Sequence, residues 1–185
     1  MRRLPGILAT STALVSILAV TPQALADTRA STGSDVLVSG TSVALSENGA
    51  RDPGTRAVAT ANPAAVRATA SLCGSGYQLE RAERLPDARR FGTLFTYMKL
   101  SSSMDGACAV FDNNLGVAKK MKLKLCPNKV GATCKVDEGT FSQYAGPVKY
   151  ESNSDISINC SKVTAIMWSD GVPIIDRVMS VSECD

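Results

Sequence analysis

Short blocks in which apolar and polar residues alternate make up most of the chain after residue 72. They are bounded by Gly, Pro, Asn and Asp, and a period of two is typical of strands with one buried face. The predicted strands are 77–84, 93–100, 107–112, 120–126, 133–137, 140–150, 156–160, 163–168 and 174–182. No block keeps a helical apolar stripe over three turns. The pattern predicts an all-β fold, a small antiparallel β-sandwich or barrel.

The segment KKMKLKLC at 119–126 is the densest run of charge in the chain. In an extended backbone Lys120, Lys122 and Lys124 project from one face, and the apolar residues between them project from the other. This favours a solvated strand face, and rows of lysine are typical of edge strands. A polyanion-binding patch is the alternative, but the segment holds no Arg or aromatic residue for bidentate or stacking contacts. Weak attraction to an anionic cell wall stays open.

The N-terminus has the features of a secretory signal peptide. Arg2 and Arg3 precede the apolar stretch GILATSTALVSILAV, and TPQALA follows it, so we expect residues 1–26 to be removed after Ala26. The apolar stretch is shorter than the roughly 20 residues of a membrane-spanning helix, and no stable membrane insertion is expected after signal removal. These N-terminal features therefore predict a secreted, extracellular protein.

Residues 27–71 are rich in Ala, Ser, Thr, Gly and Val and contain no cysteine or aromatic residue. Such a segment has little bulky apolar surface to offset its ordering entropy. We expect a disordered linker or pro-segment here, followed by one β domain at 72–185. That domain holds nine Lys and five Arg against eight Asp and five Glu. With so little net charge, binding to nucleic acid is not expected.

All six cysteines lie in the predicted domain, and they predict a disulfide framework. They are Cys73, Cys108, Cys126, Cys134, Cys160 and Cys184. A metal site is disfavoured, because the chain has no histidine and no C-x-x-C spacing, and no cofactor is predicted. Cys126 and Cys134 enclose PNKVGAT, whose turn residues predict a stapled hairpin. The other four allow three connectivities, of which Cys73 with Cys108 and Cys160 with Cys184 is the expected one.

Three segments carry a resemblance to a known family. They are CGSGY at 73–77, GTLFTYMKL at 92–100 and EGTFSQYAGPVKY at 138–150, with the cysteine strand GACAVF between the second and third. In this order they resemble the small secreted, spore-associated proteins of Streptomyces and related actinobacteria. The resemblance covers most of residues 73–185 and implies a secreted protein of aerial growth or spores, with no established chemistry. The chain departs from the family pattern in the NCSKVTA segment, in the added Cys126 and Cys134 pair, and in the long segment before Cys73.

No residue set points clearly to catalysis, and we predict that the protein is not an enzyme. The absence of histidine excludes Ser-His, Cys-His and His-metal schemes. Two carboxylate pairs could serve a glycosidase, Asp137 with Glu138 and Asp170 with Asp176, but such residues also mark turns. Exposed aromatic residues could instead form a platform for sugar or peptide. The candidates are Tyr97, Tyr144, Tyr150 and Trp168, with Tyr144 and Phe141 assigned to the core and Trp168 left open.

The expected function is that of a secreted, non-enzymatic protein associated with a spore or cell surface. Its expected partners are the cell wall or spore surface, or a secreted protein. The alternative is a binding module, such as a small protease inhibitor or antagonistic toxin, which would present a rigid loop at 86–92 or 127–133.

Overall fold

The alternating blocks form two antiparallel sheets in the computed structural model, which describes residues 35–153, 158, 160–182 and 184. Eight strands occur in these residues: β1 Gln78–Leu85, β2 Gly92–Lys99, β3 Asp105–Asn113, β4 Lys119–Cys126, β5 Lys135–Phe141, β6 Tyr144–Ser152, β7 Lys162–Ser169 and β8 Val172–Ser180. One sheet has the order β1-β2-β3-β6, and the other has the order β5-β4-β7-β8. The predicted all-β sandwich is confirmed.

The main core lies between the two sheets. The period of two places Met121, Leu123 and Leu125 of β4 on its inner face, and all three are fully buried. They pack in one cluster with Phe111 of β3 and Met167 of β7. Burying side chains of this size contributes about 1.5–3 kcal/mol each, so this cluster stabilises the contact between the sheets.

A layer of three short helices covers the outer face of the first sheet. They are α1 Glu47–Arg51, α2 Pro53–Ala61 and α3 Pro63–Cys73. Asp52 caps α2, since its carboxylate accepts the N–H groups of Gly54 and Thr55. Pro53 and Pro63 occupy the first turns of α2 and α3, where a missing N–H costs nothing.

The helix layer buries a second apolar cluster, which we call the helix-side cluster, against the first sheet. Val66 of α3 is fully buried and packs in this cluster with Leu79, Phe95 and Tyr97. The Tyr97 hydroxyl lies 2.6 Å from Thr69 Oγ1 and donates to the carbonyl of Val66 at 3.0 Å. The prediction of a disordered linker is therefore wrong for the described part of 27–71, where the three helices lie. Residues 1–34, with the predicted signal peptide, lie outside the described residues.

Three disulfides join the elements: Cys73–Cys108, Cys126–Cys134 and Cys160–Cys184. These are the pairings expected from the sequence. The first ties the end of α3 to β3, the second closes the loop between β4 and β5, and the third fixes the C-terminal tail.

Several strand predictions needed correction. The lysine-rich strand β4 lies inside its sheet between β5 and β7, whereas its lysine row suggested an edge. The turn between β5 and β6 falls at residues 142–143, after the predicted boundary near 138. Of the predicted strand 156–160, Ile158 is helical and Cys160 lies in a turn with φ +62°; residues 156, 157 and 159 lie outside the described residues.

Two backbone features follow from the local sequence. Asp170 and Gly171 have φ values of +52° and +79°, and they form the tight connection between β7 and β8. The strand β6 lies at a sheet edge, and its pairing with β3 shifts register opposite Gly146 and Pro147. Proline explains that position, because it lacks the N–H that an inner strand would donate.

Candidate functional site

The outer face of the second sheet carries a group of lysines that we call the lysine face: Lys120, Lys122 and Lys124 of β4 and Lys162 of β7. Their place follows from the register, since β4 alternates between buried apolar residues and outward lysines. Lys162 pairs with Cys126, which continues the same row. The helices pack on the other sheet, and among the residues that the structure describes no second layer covers this face.

The lysine face is only partly neutralised. Glu138 of β5 lies beside it, with its carboxylate oxygens 2.9 Å from Lys122 Nζ and 3.8 Å from Lys120 Nζ. The hydrogen bond from Lys122 lowers the pKa of Glu138, so this acid stays ionised and offsets one lysine. In the part of the chain that the structure describes, Lys124 and Lys162 have no acidic partner.

Charge is distributed unevenly over the molecule. Residues 119–141 and 162–180, which build the second sheet, hold eight basic and four acidic side chains. The net charge of the whole chain is +3, so this sheet alone accounts for the positive balance.

Trp168 of β7 stands on the same face, at one end of the lysine face. It pairs with Lys120, whose Nζ lies 5.0 Å from the centre of the indole ring. Beside it is a cleft of about 330 Å³ between β4 and the Asp170 turn. Lys119 donates to Ser169 Oγ at 2.8 Å in this cleft. Trp168, which the sequence left open, is thus a half-exposed surface residue.

Neither predicted carboxylate pair comes together. Asp137 and Glu138 are neighbours in a strand, so their side chains point to opposite faces. Asp137 accepts the N–H of Gly146 at 2.6 Å, which fixes the corner between β5 and β6. Asp170 sits in the tight turn, while Asp176 lies in β8 opposite Ile166.

The other aromatic candidates belong to the two cores. Tyr97 is fully buried, and burial raises the pKa of its hydroxyl. Tyr144 packs against the helix-side cluster, and Phe141 and Tyr150 pack against the core between the sheets. The assignment of Tyr144 and Phe141 to core packing agrees with this.

The two candidate loops differ in what they expose. Residues 86–92 include a short 3₁₀ turn, Asp87–Arg89, and Arg89 lies over the ring of Phe91. The loop 127–133, closed by Cys126–Cys134, has Val130 fully exposed at its tip. A covalently closed loop with an apolar tip is a feature that a binding module would use.

A cavity that sequence analysis missed lies beside the first sheet. It has a volume of about 480 Å³ and is lined by residues of α1, β1, β2 and the C-terminal tail. We call it the Glu80 cavity, because the side chain of Glu80 is 4% exposed and lines it. The Leu79–Arg81 irregularity that places Glu80 there has no sequence signal.

Within the described residues no helix has the length and apolar character needed to cross a membrane, and three disulfides are compatible with an extracellular protein. Comparison of the chain with protein-family models, curated proteins and solved structures gave no match.

Proposed function

We propose that the chain is a secreted, non-enzymatic protein that associates with an anionic cell or spore surface through its lysine face. The observation that carries this proposal is the concentration of positive charge on the one sheet face that the helix layer leaves open. The resemblance of the CGSGY, GTLFTYMKL and YAGPV segments to spore-associated proteins supports the location.

The physics of such a surface favours adsorption over recognition. Lysine is a compact point charge on a flexible stem, and it attracts anions without the geometric demands of arginine. A flat row of lysines therefore suits a polymer with repeated negative charges, such as the phosphate-rich or carboxylate-rich polymers of a cell wall. Single exposed charges contribute little, but several lysines acting on one polymer add up.

The arrangement of acids supports the non-enzymatic part of the proposal. Paired carboxylates perform glycoside hydrolysis only when both flank one bond. Here Asp137 is engaged with Gly146, and Glu138 is engaged with Lys122. Neither is free to act as a general acid.

The test compares binding of the full secreted chain to isolated cell walls and spores. The variant Lys120→Gln/Lys122→Gln/Lys124→Gln removes three charges from the lysine face. The control, Arg51→Gln/Arg56→Gln/Arg67→Gln, removes three exposed charges from the helix layer. We expect the lysine variant to lose about tenfold or more in affinity and the arginine variant to lose little. The wild type should also be released by salt, since screening shortens the reach of exposed charges.

Equal losses in the two variants, or retention at high salt, would rule out the lysine face as the adsorbing surface. The exposed tip of the 127–133 loop favours a second candidate, a binding module that docks on a secreted protein. In that case a stoichiometric complex would form in culture fluid and be lost in Val130→Asp, while the lysine variant would retain it.

A further inference from the structure

The Glu80 cavity is built from parts of the chain that are distant in sequence. Asn48 belongs to α1, Gln78 and Glu80 to β1, and Ser182 to the C-terminal tail. The Cys160–Cys184 bridge forms part of the wall. Its volume of about 480 Å³ falls in the range of small-molecule sites.

A β-bulge points Glu80 into this cavity. Leu79 pairs with Tyr97 and Arg81 pairs with Thr96, so Glu80 is the additional residue between two consecutive pairs. Bulges re-aim a side chain and are over-represented beside functional sites. The fold supports the bulge, since Ser46 donates its N–H to the carbonyl of Leu79 at 2.9 Å.

The carboxylate of Glu80 is more than nine-tenths buried, yet its hydrogen-bonding capacity is mostly unused. Oε1 accepts from Asn48 Nδ2 at 2.9 Å. Across the described residues, Oε2 has no donor and no basic side chain forms an ion pair with Glu80. An ionised carboxylate can accept about four hydrogen bonds, and burying it without partners is costly. The arrangement therefore leaves a strong acceptor facing the cavity.

Ser182 adds a second hydrogen-bonding group to the lining of the cavity. Its side chain is 6% exposed, and its hydroxyl has no hydrogen bond among the described residues. No buried side-chain oxygen that is sealed from solvent lacks a partner. The free atoms of Glu80 and Ser182 are accordingly accessible, and both residues line the same cavity.

The other residues that line the cavity indicate which class of ligand it would bind. They include Met98 and Leu100, which supply apolar surface, and a second acid, Glu47, but no Lys or Arg among the described lining residues. A metal ion fits poorly, because no group of three His, Cys, Asp or Glu side chains in the described chain could hold one. We propose that the Glu80 cavity binds a primary ammonium group carried on a short aliphatic chain, with Glu80 and Ser182 accepting its hydrogen bonds and Met98 contacting the chain.

Two sources share this chemistry, a free small amine and a lysine side chain of a peptide. The probes are therefore n-hexylamine and the blocked tripeptide acetyl-Gly-Lys-Gly-amide, each titrated into the full chain and followed by calorimetry and by amide NMR shifts at Glu80 and Asn48. Hexanol and hexanoate are the matched probes that lack the positive charge. We expect hexylamine to bind with a Kd on the order of 1 mM or tighter and the uncharged and anionic probes not to bind.

Glu80→Gln keeps the acceptor for Asn48 and removes the charge, and it should weaken hexylamine binding about 10- to 100-fold. Asp87→Asn is the control, because Asp87 is not among the residues that line the cavity and its side chain is 74% exposed. This control should change affinity less than about threefold. Tighter binding of the tripeptide than of hexylamine would assign the cavity to peptide lysines, and the reverse order would assign it to free amines.

A further variant keeps the proposal testable if Glu80→Gln does not fold. Gln78 lines the cavity beside Glu80, so Gln78→Lys would place an ammonium there covalently and should abolish hexylamine binding. Equal binding of hexanol and hexylamine would show a merely apolar cavity and overturn the proposal. Absence of hexylamine binding at about 10 mM, or unchanged affinity in Glu80→Gln or Gln78→Lys, would also overturn it.

Discussion

The partly buried carboxylate of Asp112 lowers the stability of the folded protein. Asp112 lies in β3 between Thr93 of β2 and Tyr144 of β6, half-buried on the helix side of the sheet. No donor or cation pairs with its side chain in the described residues. Burial raises its pKa from 3.8 to about 6, because a low-dielectric environment disfavours the charged form.

Replacing Asp112 should change how stability depends on pH. Below about pH 4 the Asp112 carboxyl is protonated in both the folded and the unfolded protein. As the pH rises to about 6, the unfolded chain releases this proton first, so the free energy of unfolding falls. Asp112→Asn should remove this fall and, after allowance for solvent screening, stabilise the protein at pH 7 by about 1–2 kcal/mol. Urea unfolding at pH 4, 5, 6 and 7 measures the effect.

The Glu138 carboxylate affects the pH dependence of stability in the opposite direction, and Glu138→Gln tests this. Lys122 lowers the pKa of Glu138, so its contribution is present above the unfolded pKa of 4.5 and is lost as pH falls. This variant should flatten the acid side of the curve and leave the pH 4–6 fall in place. A fall that persists in Asp112→Asn would show that another group causes it.

Residue-scale features explain why the sites were only partly predictable. The lysine face follows from a period of two, and its orientation was predicted correctly. The aim of Glu80 depends on one extra residue in β1, and a one-residue shift reverses every later side chain of a strand. Nothing in the sequence QLERAERL marks that shift, so the Glu80 cavity could be found only in three dimensions.

At the scale of elements, the helix layer is the part that sequence analysis missed. Its helices use small residues such as Ala and Thr, and compositional reasoning treated these as too weakly apolar to pack. The local signals were present: Asp52-Pro53 and Asn62-Pro63 each place a capping residue before a proline at the first helical position. Burial of Val58 and Val66 against the sheet then stabilises these short helices, which helix propensity alone would not keep folded.

Trypsin can distinguish a packed helix layer from a linker. Arg56 and Arg67 are exposed side chains on α2 and α3, but cleavage requires the local backbone to unfold. We expect cleavage at both sites to be at least about 100-fold slower in the native protein than in urea. Val66→Asp, which places a charge in the helix-side cluster, should restore rapid cleavage. The fragments that begin or end at Arg56 and Arg67 are identified by mass spectrometry. Rapid cutting of the native wild type at Arg56 and Arg67 would contradict the packed layer.

In the whole molecule, the three disulfides join different parts of the structure. Cys73–Cys108 joins the helix layer to the sandwich across a separation of 35 residues. Cys160–Cys184 secures the tail across 24 residues, and Cys126–Cys134 closes a local loop across 8. In the chain-entropy account, a bridge stabilises more when it closes a longer loop of the unfolded chain.

Removal of the bridges one at a time should follow that order. The chain-entropy relation predicts that removal lowers the free energy of unfolding by about 4 kcal/mol for Cys73–Cys108, about 3.5 kcal/mol for Cys160–Cys184 and about 2.5 kcal/mol for Cys126–Cys134. Cys73 and Cys108 are also buried in the helix-side cluster, so their loss adds a packing cost to the entropic one. Double Cys→Ala variants of each pair, unfolded in urea, measure the differences. The Cys126 and Cys134 variant should keep the full helix layer, as judged by slow cleavage at Arg56, while the Cys73 and Cys108 variant should expose it. If instead the loop pair proves the costliest to remove, local strand pairing between β4 and β5, and not the attachment of the helices, limits the stability of this fold.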